Sequence, residues 1–472
     1  MAIWRDRDLE AILGGPIEAA GLDEAALTKL VGEIPAESEF VDYKSRRAFS
    51  HAFEDPKKWE LGQERAKDVC APANGRGGIL VFGVEDVKKI PNTADRMVPF
   101  DSVVSDGDLI EQFTRDVRTF SDPTPLFNVF RVDAAAGGFY LVAVIPPSMS
   151  APHAVIVPSG DSRKALHYFV RTAGETNIRY LNEHEVADRY AARLRNREDR
   201  ARHVETVWAG GQREVIETSE GGTWIAVSVV PDAKLDDRLT RALRHEIDEW
   251  DTHASIHASS VLGMVPSVGD RPYSAPGKVE YKELRDIGGG ELVPVANTLY
   301  REIHVDGAGF AAVRIAAPGT PGAAATLDLD ELIDVVVAMT LHLMSWTIHR
   351  VGAWGNATVT AGLFDTGTAA LARPVRLNGA GGERVSSLRA LTRSSKNSMV
   401  AHLEDALTVR ERMCVAYNVA SQILQLFGVT EPTWLTETGA LRTFSLLNQR
   451  SRHAKEWAAS NGVDLDGTSV PL

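Results

Sequence analysis

Residues 37–44 read Glu-Ser-Glu-Phe-Val-Asp-Tyr-Lys, a stretch that places four charged side chains beside an aromatic pair. Its second part, residues 40–44, has the length and composition of a short strand. Asp42 and Lys44 are two residues apart, so they share one face of that strand. Glu37 comes before the strand and would have to reach the same place from a loop.

A second, more apolar strand is predicted at residues 79–84, which read Ile-Leu-Val-Phe-Gly-Val. Its length and unbroken apolar character are typical of a strand that is buried on both faces. The run ends at Glu85-Asp86. The end of a buried strand is a common place for a carboxylate that belongs to a site.

Two interpretations of these acids are open. If the two strands are neighbours, Glu37, Asp42 and Asp86 converge, and three carboxylates suit a hard divalent cation such as Mg²⁺ or Mn²⁺. Such a cation activates water and neutralises charge on a phosphate, and Lys44 would add a positive charge. Alternatively, the first strand is a solvated edge whose acids and lysine balance one another. Spacing alone favours this second interpretation.

The whole chain predicts an α+β protein with several domains. Residues 1–35 form an N-terminal helical segment, with short helical stretches on either side of Gly14-Gly15-Pro16. Residues 36–204 read as a mixed α/β domain that closes with a linker helix. Residues 205–472 read as a C-terminal α/β domain of unknown type, and residues 396–428 within it are predicted to form one long helix. This region carries no motif, so sensing and assembly are its candidate roles.

The predicted linker helix begins after Asn182 and is rich in arginine. It contains Arg189, Arg193, Arg195, Arg197, Arg200 and Arg202. A row of arginines of this kind can face phosphates. A solvated helix in which Glu198 and Asp199 offer ion pairs explains the same residues, and we favour that interpretation.

The composition is that of a globular protein. The 472 residues are 44% hydrophobic and carry a net charge of −13, which argues against binding nucleic acid over the whole surface but not against a local basic groove. The two cysteines, Cys70 and Cys414, exclude a zinc site built on cysteine and fit a reducing cytoplasm. No apolar run reaches the roughly 18 residues that span a membrane. The nearest, residues 332–346, reads as a buried helix.

Several short motifs follow one another along the first part of the chain. They are Glu37-Ser38, Asp42, Tyr43-Lys44, Ala66-Lys67-Asp68-Val69, Ala73-Asn74-Gly75, Gly77-Gly78, Phe82-Gly83-Val84-Glu85-Asp86, Pro146-Pro147-Ser148, Pro152-His153, Tyr168-Phe169-Val170-Arg171, Thr176 and Glu183–Val186. The ordered set resembles the Schlafen/AlbA-like domain family.

The resemblance implies a Schlafen-like, mixed α/β, nucleic-acid-handling domain. In catalytic members of the family, three acids form the site of an endoribonuclease that acts on structured RNA such as tRNA. By position, Glu37, Asp42 and Asp86 match these acids, with Glu85 as the alternative third. They are therefore the candidate catalytic residues and the candidate ligands of Mg²⁺ or Mn²⁺. The second acid is Asp where the family usually has Glu, which shortens that side chain by one methylene.

Two functions follow from the resemblance. The first is a metal-dependent endoribonuclease that serves as a bacterial defence effector, for instance against phage. The alternative is a non-catalytic regulator of the same fold that binds DNA or RNA, because many bacterial relatives are of that kind. Domains of this type often work as paired lobes, which predicts a homodimer or a larger homo-oligomer. A cytoplasmic location without a membrane partner is expected.

Basic residues near these motifs are the candidates for contacts with phosphates. They are Lys44, Arg46, Arg47, Lys57, Lys58, Lys67, Arg76 and Arg171. The run Gly75-Arg76-Gly77-Gly78 does not read as a phosphate-binding P-loop, because no Lys-Ser/Thr follows it and the glycines precede a strand.

Overall fold

The computed structural model describes residues 4, 6–15, 17–49, 58–86, 93–159, 163–171, 178–219, 221–233, 238–266, 271–282, 284–286, 292–294, 298–316, 326–352, 355–366, 373–377, 383–384, 394–446 and 448–467. The chain divides into two compact units, residues 1–199 and 200–472. The division falls inside the helix Glu183–Thr218, whereas the sequence analysis placed it after residue 204. Both units combine helices with sheets, which confirms the α+β fold class.

The first unit contains helices and strands throughout its length. Its helices are α1 (Arg7–Leu13), α2 (Glu24–Glu33), α3 (Lys58–Ala73), α4 (Asp106–Phe120) and the first part of α5 (Glu183–Thr218). Its strands are β1 (Val41–Lys44), β2 (Gly78–Phe82), β3 (Val84–Asp86), β4 (Ala94–Met97), β5 (Ser121–Asp122), β6 (Asn128–Asp133), β7 (Phe139–Ile145), β8 (Ala154–Ser159), β9 (Arg163–Val170) and β10 (Arg179–Tyr180). A short 3-10 helix, Arg46–Phe49, follows β1.

The two predicted strands are neighbours in one sheet. Among the described residues, the strand order of this sheet is β1-β2-β7-β6, and that of a second sheet is β10-β9-β8-β5. β1 runs parallel to β2, in a register that pairs Asp42 with Leu80 and Lys44 with Phe82. β3 and β4 form a separate antiparallel pair.

The alternation of residues along β1 separates an apolar face from a charged one. Val41 and Tyr43 belong to a buried cluster that residues of α1 and α2 complete. The other face of the sheet packs against α3 and α4. Asp42 and Lys44 point to that second face, because successive side chains of a strand alternate. The segment 1–35, which the sequence analysis set apart, therefore shares the core of the first unit.

The turn between α3 and β2 needs its glycines for close packing. Gly77 has a φ of +85°, a conformation that favours glycine. A Cβ atom on Gly78 would lie 2.9 Å from the carbonyl oxygen of Phe40, and one on Gly75 would lie 2.8 Å from that of Arg171. Protein backbone thus fills the space around the turn, which agrees with the rejection of a P-loop.

The second unit also mixes helices and strands. Its helices are the remainder of α5, α6 (Arg241–His253), α7 (Leu329–Val351), α8 (Val409–Gln425) and α9 (Asn448–Asn461). Its strands are β11 (Thr223–Pro231), β12 (Arg271–Ala275), β13 (Lys278–Lys282), β14 (Leu284–Asp286), β15 (Leu292–Pro294), β16 (Leu299–His304), β17 (Gly309–Ala316), β18 (Thr326–Asp328), β19 (Asn356–Asp365), β20 (Arg373–Leu377), β21 (Glu383–Arg384) and β22 (Ser395–His402). Short 3-10 helices occur at Leu403–Ala406 and Thr443–Ser445.

A large antiparallel sheet organises the second unit. Within the described ranges its strand order is β12-β13-β16-β17-β11-β19-β22. The prediction of one helix over residues 396–428 is wrong, because β22 pairs with β19 and α8 begins only at Val409. A capping box fixes that start: the side chain of Thr408 accepts from the backbone of Glu411, whose own side chain accepts from the backbone of Thr408.

The helix α7 lies at the centre of the core of the second unit. It has the length and composition of a membrane-spanning helix, yet 89% of its most apolar 18-residue stretch is buried inside the protein. Its apolar residues pack with those of the sheet and of α8 in one large cluster. The region is therefore the buried helix that the sequence analysis expected.

Candidate functional site in the N-terminal unit

Asp42 is a buried carboxylate held by two cations. Its side chain is 1% exposed because β1 turns it toward the face of the sheet that α3 covers. Its Oδ2 accepts a hydrogen bond of 2.6 Å from Nη2 of Arg171. The same oxygen lies 3.2 Å from Nζ of Lys44. Asp42 and Lys44 thus share one face of the strand, as the spacing of the sequence predicts.

Arg171 directly follows β9 and ties two segments of backbone to Asp42. Its Nη1 donates to the carbonyl oxygens of Ser38, at 3.2 Å, and Val41, at 3.3 Å. The side chain is only 5% exposed. The sequence analysis placed Arg171 among the candidates for phosphate contacts, but this guanidinium makes its hydrogen bonds inside the protein. It holds the loop before β1 and the strand itself around the carboxylate.

Glu37 reaches Asp42 from the loop before β1, as the sequence analysis expects. The two carboxyl groups are hydrogen-bonded to each other. Burial, together with the negative charge of Asp42, raises the pKa of Glu37 to about 8. Glu37 is therefore mainly protonated at neutral pH.

The pKa of Asp42 moves the other way. Burial raises it, but the charges of Lys44 and Arg171 and the hydrogen bond with Glu37 lower it by more, so Asp42 stays ionised. Its second oxygen, Oδ1, is buried, and apart from the carboxyl group of Glu37 no group in the described part of the chain donates to it. The proton on Glu37 is the donor that suits this oxygen. The two acids thus share one proton.

Lys44 connects Asp42 to a third carboxylate, Asp68 of α3. Its Nζ lies 3.3 Å from Oδ1 of Asp68. Burial raises the pKa of Asp68 to about 6, against the opposing effect of Lys44. Near neutral pH, Asp42 and Asp68 are ionised and face two cations, Lys44 and Arg171. We call these five residues (Glu37, Asp42, Lys44, Asp68 and Arg171) the acid cluster, and its charges balance.

This geometry does not fit a divalent cation. Mg²⁺ and Mn²⁺ take ionised oxygen ligands with room for water. In the acid cluster, Oδ2 of Asp42 already binds Lys44 and Arg171. Among the described residues, no group of three or more His, Cys, Asp or Glu side chains is arranged to hold a metal ion. A cation would first have to displace the two basic side chains.

Of Asp86, the third predicted acid, the structure describes the backbone but not the side chain. Asp86 ends β3. The alternative third acid, Glu85, is described, and its Oε2 lies 2.8 Å from Nη2 of Arg96. The charges that lower the pKa of Glu85 come from Arg96, Arg46 and Arg47. The structure thus brings Glu37 and Asp42 together and places Glu85 among arginines.

The other predicted basic residues differ in their surroundings. Lys44 belongs to the acid cluster, and Lys67 pairs with Glu64. The side chain of Arg76 is 71% exposed, and the carboxylate of Glu39 is 3.8 Å away from it. Lys57 and the side chain of Lys58 lie outside the described residues.

Three exposed arginines lie around Glu85. Arg46 and Arg47 come just after β1, and Arg96 is the cross-strand partner of Glu85 in the β3–β4 pair. We call Arg46, Arg47 and Arg96 the surface arginine group. Glu85 and Asp95 oppose these three positive charges, so the described groups leave a small positive excess here, although the chain as a whole is acidic. Arg96 was not a candidate from the sequence, and only the pairing of β3 with β4 reveals it.

A comparison with known families now adds to the geometry. The family model described as "Schlafen, AlbA_2" matches residues 37–180. Residues 37–180 form a Schlafen AlbA_2 domain. No curated protein matches the chain.

The Schlafen domain begins at Glu37, the first residue of the acid cluster, and ends at Tyr180, the last residue of β10. All five residues of the acid cluster and the whole surface arginine group lie inside it. The match confirms the resemblance found in the sequence, and it relates the function of this domain to nucleic acids. The match covers less than a third of the chain. It therefore gives no information about the function of α1, α2 and the second unit.

Proposed function

We propose that the Schlafen domain binds nucleic acid, RNA or DNA, through the surface arginine group and acts as a regulator that does not cleave the nucleic acid. The observation that carries the proposal is the state of Asp42. Its carboxylate is buried and bound by Lys44 and Arg171, and its neighbour Glu37 holds a proton. An acid in this state supports the fold rather than a metal, while the exposed arginines supply charges that phosphates recognise.

Neutralising the surface arginine group tests this proposal. We expect the variant Arg46→Gln/Arg47→Gln/Arg96→Gln to bind nucleic acid more weakly and to show a smaller salt dependence. Each lost phosphate contact reduces the slope of log affinity against log salt by about one, so a slope smaller by about 2–3 is expected. Fluorescence anisotropy with labelled tRNA and duplex DNA, measured in EDTA over a series of NaCl concentrations, gives both quantities.

The control for this experiment is a pair of exposed arginines elsewhere in the domain. Arg115 and Arg118 lie on α4 and are exposed, so Arg115→Gln/Arg118→Gln changes the net charge without touching the proposed surface. We expect this variant to keep most of the affinity. If the triple variant bound like wild type, or if the α4 variant lost as much affinity, the proposed surface would be refuted.

A metal-dependent endoribonuclease acting on structured RNA such as tRNA is the second candidate. The contact between Glu37 and Asp42 favours it, because the family resemblance assigns both to the catalytic site. In this proposal Mg²⁺ or Mn²⁺ binds only after Arg171 and Lys44 release Asp42, and Asp86 supplies the third acid. A role as a bacterial defence effector belongs to the same proposal.

The assembly and location of the protein stay predictions. We expect a homodimer or larger homo-oligomer in the cytoplasm, because Schlafen-type domains often act as paired lobes. Light scattering of the full chain would measure the oligomeric state. The second unit is the candidate for sensing or assembly, since the Schlafen match does not include it.

A further inference from the structure

A second polar network lies in the Schlafen domain. At its centre is His153, which precedes β8 and is only 1% exposed. Its backbone N–H donates to Oδ1 of Asn74 at 2.7 Å, and Nδ2 of Asn74 donates back to the carbonyl oxygens of His153, at 2.9 Å, and Phe169, at 2.8 Å. These hydrogen bonds hold the backbone of His153 in place and so help to fix the position of its imidazole.

The hydrogen bonds of the imidazole fix its tautomer. Nδ1 lies 2.6 Å from the carbonyl oxygen of Pro123, and a carbonyl oxygen only accepts, so Nδ1 carries a proton and donates. Burial is the main cause that lowers the pKa of His153, so the ring is neutral at neutral pH and Nε2 carries no proton. Nε2 lies 2.6 Å from Oγ of Ser148. The hydroxyl of Ser148 therefore donates to Nε2.

Ser148 is oriented and partly open to solvent. Its backbone N–H donates to the carbonyl oxygen of Ala73 at 2.9 Å, and its Oγ accepts from the backbone N–H of Ser150 at 3.1 Å. Its side chain is half-buried rather than buried. A hydroxyl bonded to a neutral imidazole, which is oriented in turn by a third group, is the arrangement that activates a serine. Here the third group is a backbone carbonyl.

Two arginines of α5 lie near this pair. The charge of Arg193 acts on His153 and helps to lower its pKa. One turn earlier in α5, Arg189 donates to the carbonyl oxygen of Asn74. The sequence analysis favoured a solvated helix over a row of arginines that faces phosphates, whereas Arg189 contacts Asn74 and the charge of Arg193 acts on His153. An anionic group is therefore the ligand that this place suits.

We propose that Ser148 is a nucleophile for phosphate monoesters, with His153 as its general base and Arg193 as the group that attracts the phosphate. In the step proposed, Oγ of Ser148 forms a bond to phosphorus and the bond from phosphorus to the leaving oxygen breaks. The proton of Ser148 moves to Nε2 of His153 and from there to the leaving oxygen. In the second step the oxygen of a water molecule bonds to phosphorus and the bond from phosphorus to Oγ of Ser148 breaks, while Nε2 of His153 takes a proton from the water and returns it to Oγ, so that inorganic phosphate leaves. No metal takes part, which separates this activity from the nuclease candidate.

A fluorophosphonate probe tests the nucleophile on the full chain. In that reaction Oγ bonds to phosphorus, fluoride leaves and Nε2 of His153 takes the proton. Peptide mass spectrometry is expected to find the label on Ser148 in wild type and in Ser150→Ala, and none in Ser148→Ala. A general base contributes about 10²–10⁴-fold, so His153→Asn should label at least about 100-fold more slowly. Because that variant removes a buried group, the labelling of wild type is also measured at a series of pH values. Its rate should decrease at pH values below about 6.5, the ordinary pKa of histidine, because a protonated imidazole cannot take the proton of Ser148.

Hydrolysis of p-nitrophenyl phosphate in EDTA tests the ligand class. Arg193→Gln is expected to raise KM about tenfold or more, because a charge-assisted contact of this kind contributes about 1.5–3 kcal/mol. Labelling of Ser148 no faster than that of Ser150, or labelling independent of pH, would show that the serine–histidine bond only supports the fold. An unchanged KM in Arg193→Gln would refute the phosphate ester. Ser148→Ala should still bind tRNA, so failure here leaves the proposed function standing.

Discussion

Replacing Arg171 with methionine is expected to lower the free energy of unfolding by about 3–5 kcal/mol, the usual cost of breaking a buried ion pair by removing one partner. Methionine keeps the unbranched stem of the side chain and some of its packing. It removes the hydrogen bond to Asp42 and those to the carbonyl oxygens of Ser38 and Val41. Asp42 then keeps only Lys44 as a counter-charge. Urea unfolding of the full chain, followed by fluorescence, measures the loss.

Two further variants show whether the loss comes from the buried pair. Arg76→Met removes an exposed arginine of the same domain, and it should change stability by no more than about 0.5 kcal/mol. The double variant Asp42→Asn/Arg171→Met should recover part of the loss, because no uncompensated charge stays buried. Equal effects of Arg171→Met and Arg76→Met would mean that Arg171 is not the structural partner of Asp42.

Replacing Glu37 with glutamine is expected to change how stability depends on pH. Glu37 has a pKa of about 8 in the folded protein against an ordinary value of 4.5. Between these values the folded protein holds a proton that the unfolded chain has released, so the stability of wild type falls as the pH rises through this window. Glutamine resembles the protonated acid, and its amide still donates to Asp42, so the variant should not share this fall.

The two proteins should therefore be equally stable near pH 4.5 and differ most above pH 8, where the variant is the more stable. We expect a difference of about 2 kcal/mol there, because partial exposure of Glu37 reduces the full effect of about 1.4 kcal/mol for each pKa unit. Thermal unfolding at a series of pH values measures it. Glu39→Gln, a neighbouring acid outside the acid cluster, is the control and should follow wild type. A constant difference between Glu37→Gln and wild type at all pH values would contradict a shared proton.

The sequence predicts the local geometry of the acid cluster well. The two-residue spacing of Asp42 and Lys44 places both on one face of β1, and the apolar run at residues 79–84 predicts the neighbouring buried strand. The position of Glu37 before the strand predicts its approach from a loop. These features depend on periodicity along a few residues, which a sequence displays directly.

Partners that are distant in the chain could not be predicted in the same way. Arg171 lies 129 residues from Asp42, and no spacing rule shows whether an arginine turns inward to a carboxylate or outward to a phosphate. Asp68 faces the acid cluster only because α3 covers this side of the sheet. Arg96 joins the surface arginine group only through the pairing of β3 with β4. Tertiary packing decided all three roles.

The most direct test is to incubate the full chain with labelled tRNA in EDTA and in Mn²⁺, and to follow binding and cleavage in the same samples. Wild type, Glu37→Gln and Asp42→Asn are compared, since Glu37→Gln keeps the fold if Asp42→Asn does not. If the acid cluster is a buried, charge-balanced support, wild type binds tRNA equally well in both conditions and leaves it intact. Cleavage that appears with Mn²⁺ and disappears in both variants would contradict this account and establish the acids as a metal-dependent nuclease site.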